Sequence, residues 1–202
     1  MTEWISANVA VLQLAASLLT ALIWVIYLQM LFTSYKRQRR TMILINLGGG
    51  VSFEARVFVS NLGFEPVYLL DIFLGLSDND EDWNAVITDR TELSTEDLTN
   101  PRDVTNRGPL NSGETYDIGN VATLVDRAHS QDGRVRQEAI DTVCLTVVAV
   151  TAADDHLVAA RRAYRVIAET DRTVLRSTTL AAEQIRSRSD RGRLRKRLQS
   201  RL

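Results

Sequence analysis

Charge is missing from the beginning of this chain, and histidine and cysteine are scarce throughout it. Between Glu3 and Lys36 there are 32 residues without an Asp, Glu, Lys or Arg. His129, His156 and Cys144 are the only histidines and the only cysteine among 202 residues. A single cysteine excludes a disulfide within the chain, and its place inside the apolar run TVCLTVVAV reads as a small buried hydrophobe, compatible with a reducing compartment. Nothing in the spacing of these three residues gathers a zinc site, a Cys-His pair or a Ser-His-Asp triad. The expectation is therefore no catalytic residues, no metal and no cofactor, and no enzymatic role.

The missing charge defines the first element. Val9 to Phe32, VAVLQLAASLLTALIWVIYLQMLF, is 24 residues long and almost wholly apolar. About 20 helical residues cross a bilayer core of roughly 30 Å, so this run is expected to form a transmembrane helix. A cleaved signal peptide is the competing reading. It carries its positive charge before the apolar run and small residues at a cleavage site after it, whereas here the head is MTEW and LFTSYKRQRR follows.

Lys36, Arg37, Arg39 and Arg40 then act as a topology signal, because cations beside a span are retained on the cytoplasmic side. Residues 1–8 are expected outside, 9–32 in the bilayer and 33–41 as a basic juxtamembrane segment, with the rest of the chain cytoplasmic. The location is a cell membrane, with the inner membrane favoured. Trp4, and Trp24, Tyr27, Phe32 and Tyr35 toward the other end, suit an aromatic belt. Ser6, Ala10, Gln13, Ser17 and Ala21 recur at three- and four-residue spacing, a small and polar face of the kind that joins helices in lipid. A membrane homo-oligomer or protein complex is the expected partner there.

Beyond the span, charge is unevenly divided. Residues 41–170 hold 21 acidic and 10 basic side chains, and residues 171–202 hold 3 acidic and 10 basic. An acidic body at 42–170 thus stands between two basic segments. Its pattern is one of short runs rich in Val, Ile, Leu and Phe, separated by Gly, Pro, Asn and Asp, which reads as strands and turns. Seven are expected: 42–47, 53–61, 66–77, 83–88, 114–118, 140–152 and 157–168. In the third, Tyr68, Leu70, Ile72, Leu74 and Leu76 alternate onto one face; in the last, Val158, Ala160, Tyr164 and Val166 do. The polar turn ADDH at 153–156 predicts a hairpin between the last two strands. Behind Asn120 as cap, Val121, Leu124, Val125 and Ala128 fall at helical spacing and predict one short helix.

The fold class expected is mainly β: a single transmembrane helix, an antiparallel sandwich and a C-terminal basic helical tail. The stretches VSNLGFEPVYLLDIFLGL and PLNSGETYDIG resemble the strand-turn pattern of many immunoglobulin-like sandwich modules, which implies that architecture but no particular activity. The polar segment 89–111, with two of the three prolines, is long for a connection and is a candidate contact loop.

Two motif-like strings fail on chemistry. Asp78, Asp80, Asp82 and Asp89 follow the spacing of a calcium loop, yet Trp83 holds the position where that loop needs Gly. Gly48, Gly49 and Gly50 precede no Lys-Ser/Thr and no helix, so they read as a hairpin turn near the membrane and not as a phosphate loop.

Residues 171–202 are expected to be a basic, thin-faced helix with a stripe at Val174, Thr178, Ala181 or Ala182, Ile185, Leu194, Leu198 and Leu202. Its cations Arg186, Arg188, Arg191, Arg193, Arg195, Lys196, Arg197 and Arg201 are candidates for contact with anionic membrane lipid or an acidic partner, including the acidic domain itself. Nucleic acid is the less favoured alternative, because no aromatic follows Tyr164 to stack on bases. The functional expectation is a membrane-anchored binding or scaffolding protein. The alternative is an oligomerising subunit of a membrane complex, a transport accessory or an envelope defence effector, acting on the bilayer.

Overall fold

A computed structural model describes residues 8–38, 41–78, 82–89, 104–132, 140–151, 157–169 and 172–200, with the backbone alone at 36–38 and 132. The chain divides into two compact units, residues 1–40 and 41–202.

The first unit is one helix, α1 (Val9–Gln38). Its segment Val9–Tyr35 has a mean hydropathy of 2.3 and no buried residue, and among the described residues it is the one helix long and apolar enough to cross a membrane. The hydroxyls of Thr20 and Thr33 donate to the carbonyls of Ala16 and Gln29 at 2.8 and 2.7 Å. Polar groups satisfied inside the helix are what a lipid environment requires. Trp24 and Tyr27 meet edge to face at 6.1 Å.

The second unit contains two antiparallel sheets. β1 (Ile43–Gly48), β2 (Arg56–Asn61) and β6 (Thr115–Asn120) form the smaller, in the order β1-β2-β6. The larger runs β10-β8-β7-β3-β4, built from β3 (Val67–Ser77), β4 (Asp82–Val86), β7 (Thr142–Thr151), β8 (Leu157–Ala168) and β10 (Glu183–Gln184). Two further strands complete it: β5 (Gly108–Leu110) pairs with the start of β3, and β9 (Thr173–Ser177) with the end of β8. Alternation drives the packing. Ile43, Ile45, Val57 and Val59 of the small sheet share one core with Ile72, Leu74, Leu76, Val143, Leu145 and Val147 of the large one.

α2 (Val121–Asp132) closes an end of that core with the four residues its sequence marks, Val121, Leu124, Val125 and Ala128, all buried. Asn120 caps it, its Oδ1 accepting the Thr123 N–H at 2.8 Å.

Two expectations are corrected, and a third is met as a hairpin. The face of β3 changes hands at Leu70, where the pairing with β7 shifts register between Leu69 and Asp71. This bulge leaves Ile72, Leu74 and Leu76 inside but turns Tyr68 outward, 47% exposed. The extra residue is held by a buried carboxylate: Asp71 accepts from Thr88 Oγ1 and Arg107 Nη2, each at 2.9 Å, and Arg107 Nε also donates to the Leu70 carbonyl. Hydrogen bonding to Asp71 raises the Arg107 pKa further above its ordinary value. Second, Gly49 and Gly50 do form the hairpin connection between β1 and β2, with positive φ, about 20 Å along the strand from Thr41. Third, residues 171–202 are not one helical tail. Residues 173–177 and 183–184 are strands of the large sheet, with Val174 and Leu175 buried, and only α3 (Arg188–Gln199) is helical.

Candidate functional site

The large sheet has an outer face as well as a core face, and α3 covers only part of it. Leu194 and Leu198, four residues apart and so on one side of the helix, pack half-buried against Phe73, Val148, Leu157 and Ala159. The Arg197 guanidinium lies over the Phe73 ring at 4.9 Å, and its Nη1 donates to Asn84 Oδ1 at 3.5 Å. α3 thus rests on the large sheet through its leucines and an arginine-aromatic stack. Among the described residues the ion pair on α3 is internal, Arg193 to Asp190 at 2.5 Å.

Beside α3 the outer face sinks into a recess of about 420 Å3. Register explains it. Asn84 stands opposite Gly75, Gly75 opposite Cys144, and Cys144 opposite Ala163, so one row across β4, β3, β7 and β8 carries three of the smallest side chains in succession. Larger polar groups rise around this floor: Asp82 on one side, Thr142 on another, and the pair Arg161–Glu183 joined at 2.9 Å. The segment after β9 closes the rim, with Thr178 donating through both N–H and Oγ1 to the Ala163 carbonyl at 3.0 Å.

Burial and charge set the state of the titratable groups in the recess. Burial pushes the Cys144 thiol up from its ordinary pKa, and the nearby Arg161 only partly opposes this. The protonated form therefore prevails at neutral pH, and the thiol is a weak nucleophile. Arg161 in turn is held further into its charged form by its hydrogen bond to Glu183. The wall thus sets the donors of Arg161 beside the acceptors of Glu183. Cys144 itself corrects an expectation: it faces outward, half-buried in the floor, and not into the core.

Parts of two sheet margins, on β4 and β1, are occupied by side chains. Gln131 of α2 mimics a neighbouring strand on β4, accepting the Val86 N–H at 3.3 Å and donating to its carbonyl at 2.6 Å. Gln184 treats Ile43 of β1 in the same way, and Arg162 donates from Nη1 to the Ile45 carbonyl at 2.6 Å. Side chains that fill edge hydrogen bonds discourage a further strand from adding.

The residues singled out from sequence are dispersed. Ala10, Gln13, Ser17 and Ala21 lie exposed on α1, while Ser6 lies outside the described residues. Lys36 and Arg37 belong to the last turn of α1, with side chains outside the description, as are Arg39 and Arg40 entirely. Arg186, Arg188, Arg193, Arg195 and Lys196 are exposed, and Arg191 is half-buried; Arg201 lies outside the described residues. Most of the 89–111 segment, 90–103, is likewise outside, as are Asp80 and His156, whereas Asp82 reaches the recess and His129 is exposed on α2. Among the described residues no three of His, Cys, Asp and Glu gather as a metal-holding group. Sequence reasoning missed the recess, since a row of Gly, Cys and Ala from three strands is visible only once register is known. Comparison of the chain with protein families, with curated proteins and with solved structures finds no match.

Proposed function

We propose that this chain is a single-pass membrane-anchored binding module that holds its β domain at the cytoplasmic face and receives a protein partner in the recess beside α3. The observation that carries this is the pairing of a wholly unburied apolar helix, Val9–Tyr35, with a separate domain that has a complete core of its own. A helix apolar on all sides has no place in water, and the domain does not need it for packing. The side chains seated on the margins at Val86 of β4 and Ile43 of β1 favour contact through the outer face over strand addition there. The domain serves as immunoglobulin-like modules serve, as a rigid frame for a binding surface, and the basic flank 36–40 sets its side of the membrane.

A second reading is an oligomerising membrane subunit that acts on the bilayer. It is favoured by the exposed row Ala10, Gln13, Ser17 and Ala21 on α1, whose small residues permit close helix approach.

The two are separated by one set of variants expressed as the full chain. Ala163→Trp fills the recess; Gln13→Leu with Ser17→Leu removes the polar row. Under the first reading the recess variant loses a partner retained by the parent chain in detergent extracts, and the span variant keeps it. Loss of partner only in the span variant, accompanied by membrane depolarisation in the parent chain, supports the second.

A further inference from the structure

The end of the β domain where the chain enters β1 carries two groups that the recess does not use. The first is the turn between β2 and β3. Leu62 is 50% and Phe64 71% exposed, yet the turn that bears them is firmly tied. The Leu62 N–H donates to the Met42 carbonyl at 2.8 Å, the Gly63 N–H to Asn61 Oδ1 at 2.9 Å, and Asn61 Nδ2 to the Glu65 carbonyl at 2.8 Å. A Cβ on Gly63 would lie 3.1 Å from the Thr41 Cα, so the turn presses against the incoming chain. Two large apolar side chains are thus fixed outward by a buried asparagine.

The second group lies on the first two turns of α3. Arg188, Arg191 and Arg195 share one side of the helix and line, with Leu157, a recess of about 240 Å3. Among the described residues none of the three has a carboxylate partner. Leu157 opens β8 opposite Val150, and the next residue of β7, Thr151, pairs with Val67 at the start of β3. Gln184, just before α3, is bonded to Ile43. Arginines, apolar turn and Thr41 therefore belong to the same end of the domain. Glu65 and Glu114 belong to it as well, which makes the positive potential local to the arginine cluster.

Thr41 follows the last residue of α1 by three positions, a reach of about 10 Å at full extension. We propose that this end docks on the anionic lipid surface of the membrane that α1 crosses, with Leu62 and Phe64 entering the headgroup boundary and Arg188, Arg191 and Arg195 engaging lipid phosphates. The inference rests on the membrane reading of α1.

The test uses the full chain with Cys144→Ser, reconstituted in nanodiscs that contain or lack anionic lipid, with an environment-sensitive fluorophore on a single introduced cysteine. Leu19→Cys reports the span, Pro66→Cys the docking turn, whose Leu62 and Phe64 stay in place, and Val51→Cys the remote end of the domain. In anionic discs, lipid quenchers placed near the headgroups are expected to act on position 66 and not on 51. Arg188→Gln with Arg191→Gln and Arg195→Gln should lower the ratio of docked to undocked domain roughly tenfold or more. Equal quenching at 66 and 51, or no effect of the arginine replacements, overturns the proposal. A position 19 that deep quenchers do not reach overturns the membrane reading itself, a distinct result.

Discussion

The side-chain amide of Gln184 pairs in both directions with the backbone of Ile43, 141 positions away: Nε2 donates to the carbonyl at 2.6 Å, and Oε1 accepts the N–H at 3.1 Å. Ile43 is fully buried and begins the domain; Gln184 ends the large sheet. This contact ties the last strand to the first and sets where α3 starts.

Removing it leaves a buried donor and a buried acceptor without partners. Gln184→Ala is expected to destabilise the domain by about 2 kcal/mol. Gln184→Glu should cost at least as much, because it places a carboxylate against the Ile43 carbonyl. Denaturant unfolding of the detergent-solubilised chain, followed by Trp83 fluorescence, measures both.

Tyr164 offers the opposite case. Its ring is buried in the core with the Arg162 guanidinium 5.5 Å from its centre, but its hydroxyl has no hydrogen-bond partner among the described residues. Burial pushes its pKa up to about 12. The unfolded chain releases this proton near pH 10 and the folded one later, so stability present below pH 10 is lost as pH rises toward 12. Tyr164→Phe should flatten that loss and raise stability at neutral pH by about 1 kcal/mol. Unfolding curves at a series of alkaline pH values decide it; an unchanged slope would count against the assignment.

Cys144 is the chain's own probe of the recess. Its raised pKa predicts alkylation at pH 8 that is slow in the folded chain and fast in denaturant. Replacing Arg161 by Gln removes the charge that favours the thiolate and should slow the folded-state reaction further. Mass spectrometry after timed labelling gives both rates.

The hold of α3 on the sheet is modest, since Leu194 and Leu198 are only half-buried. Leu194→Ala and Leu198→Ala should each cost about 1 kcal/mol and together expose the 188–199 region to trypsin. Cleavage at the same rate in the double variant and the parent chain would show that the leucines do not secure it.

Much of this architecture is legible in the chain because its signals are local. The seven expected strands are present, as is the α2 helix, where cap and apolar stripe agree. What is not legible depends on distant partners. In β9, Val174 and Leu175 are buried next to one another, so no alternation marks the strand. Its position comes from pairing with β8 and from the Leu175 N–H meeting the Val51 carbonyl. β10 is two residues long and is defined by its pairing with β8, with Gln184 also bonded to Ile43. The bulge at Leu70 needs Asp71, Thr88 and Arg107, which lie apart in sequence. The same holds for the recess: Gly75, Cys144 and Ala163 are unremarkable singly and form a floor only when three registers align.

The central claim is that α1 crosses a membrane once and leaves the β domain on the cytoplasmic side. With Cys144→Ser as background, Thr2→Cys and Ser200→Cys mark the two ends, and a membrane-impermeant maleimide is applied to intact and then to permeabilised cells. The account predicts a chain that stays with membranes in alkaline carbonate, labels at position 2 in intact cells, and labels at position 200 only after permeabilisation. A chain released by carbonate, or one labelled at position 200 in intact cells, would contradict it.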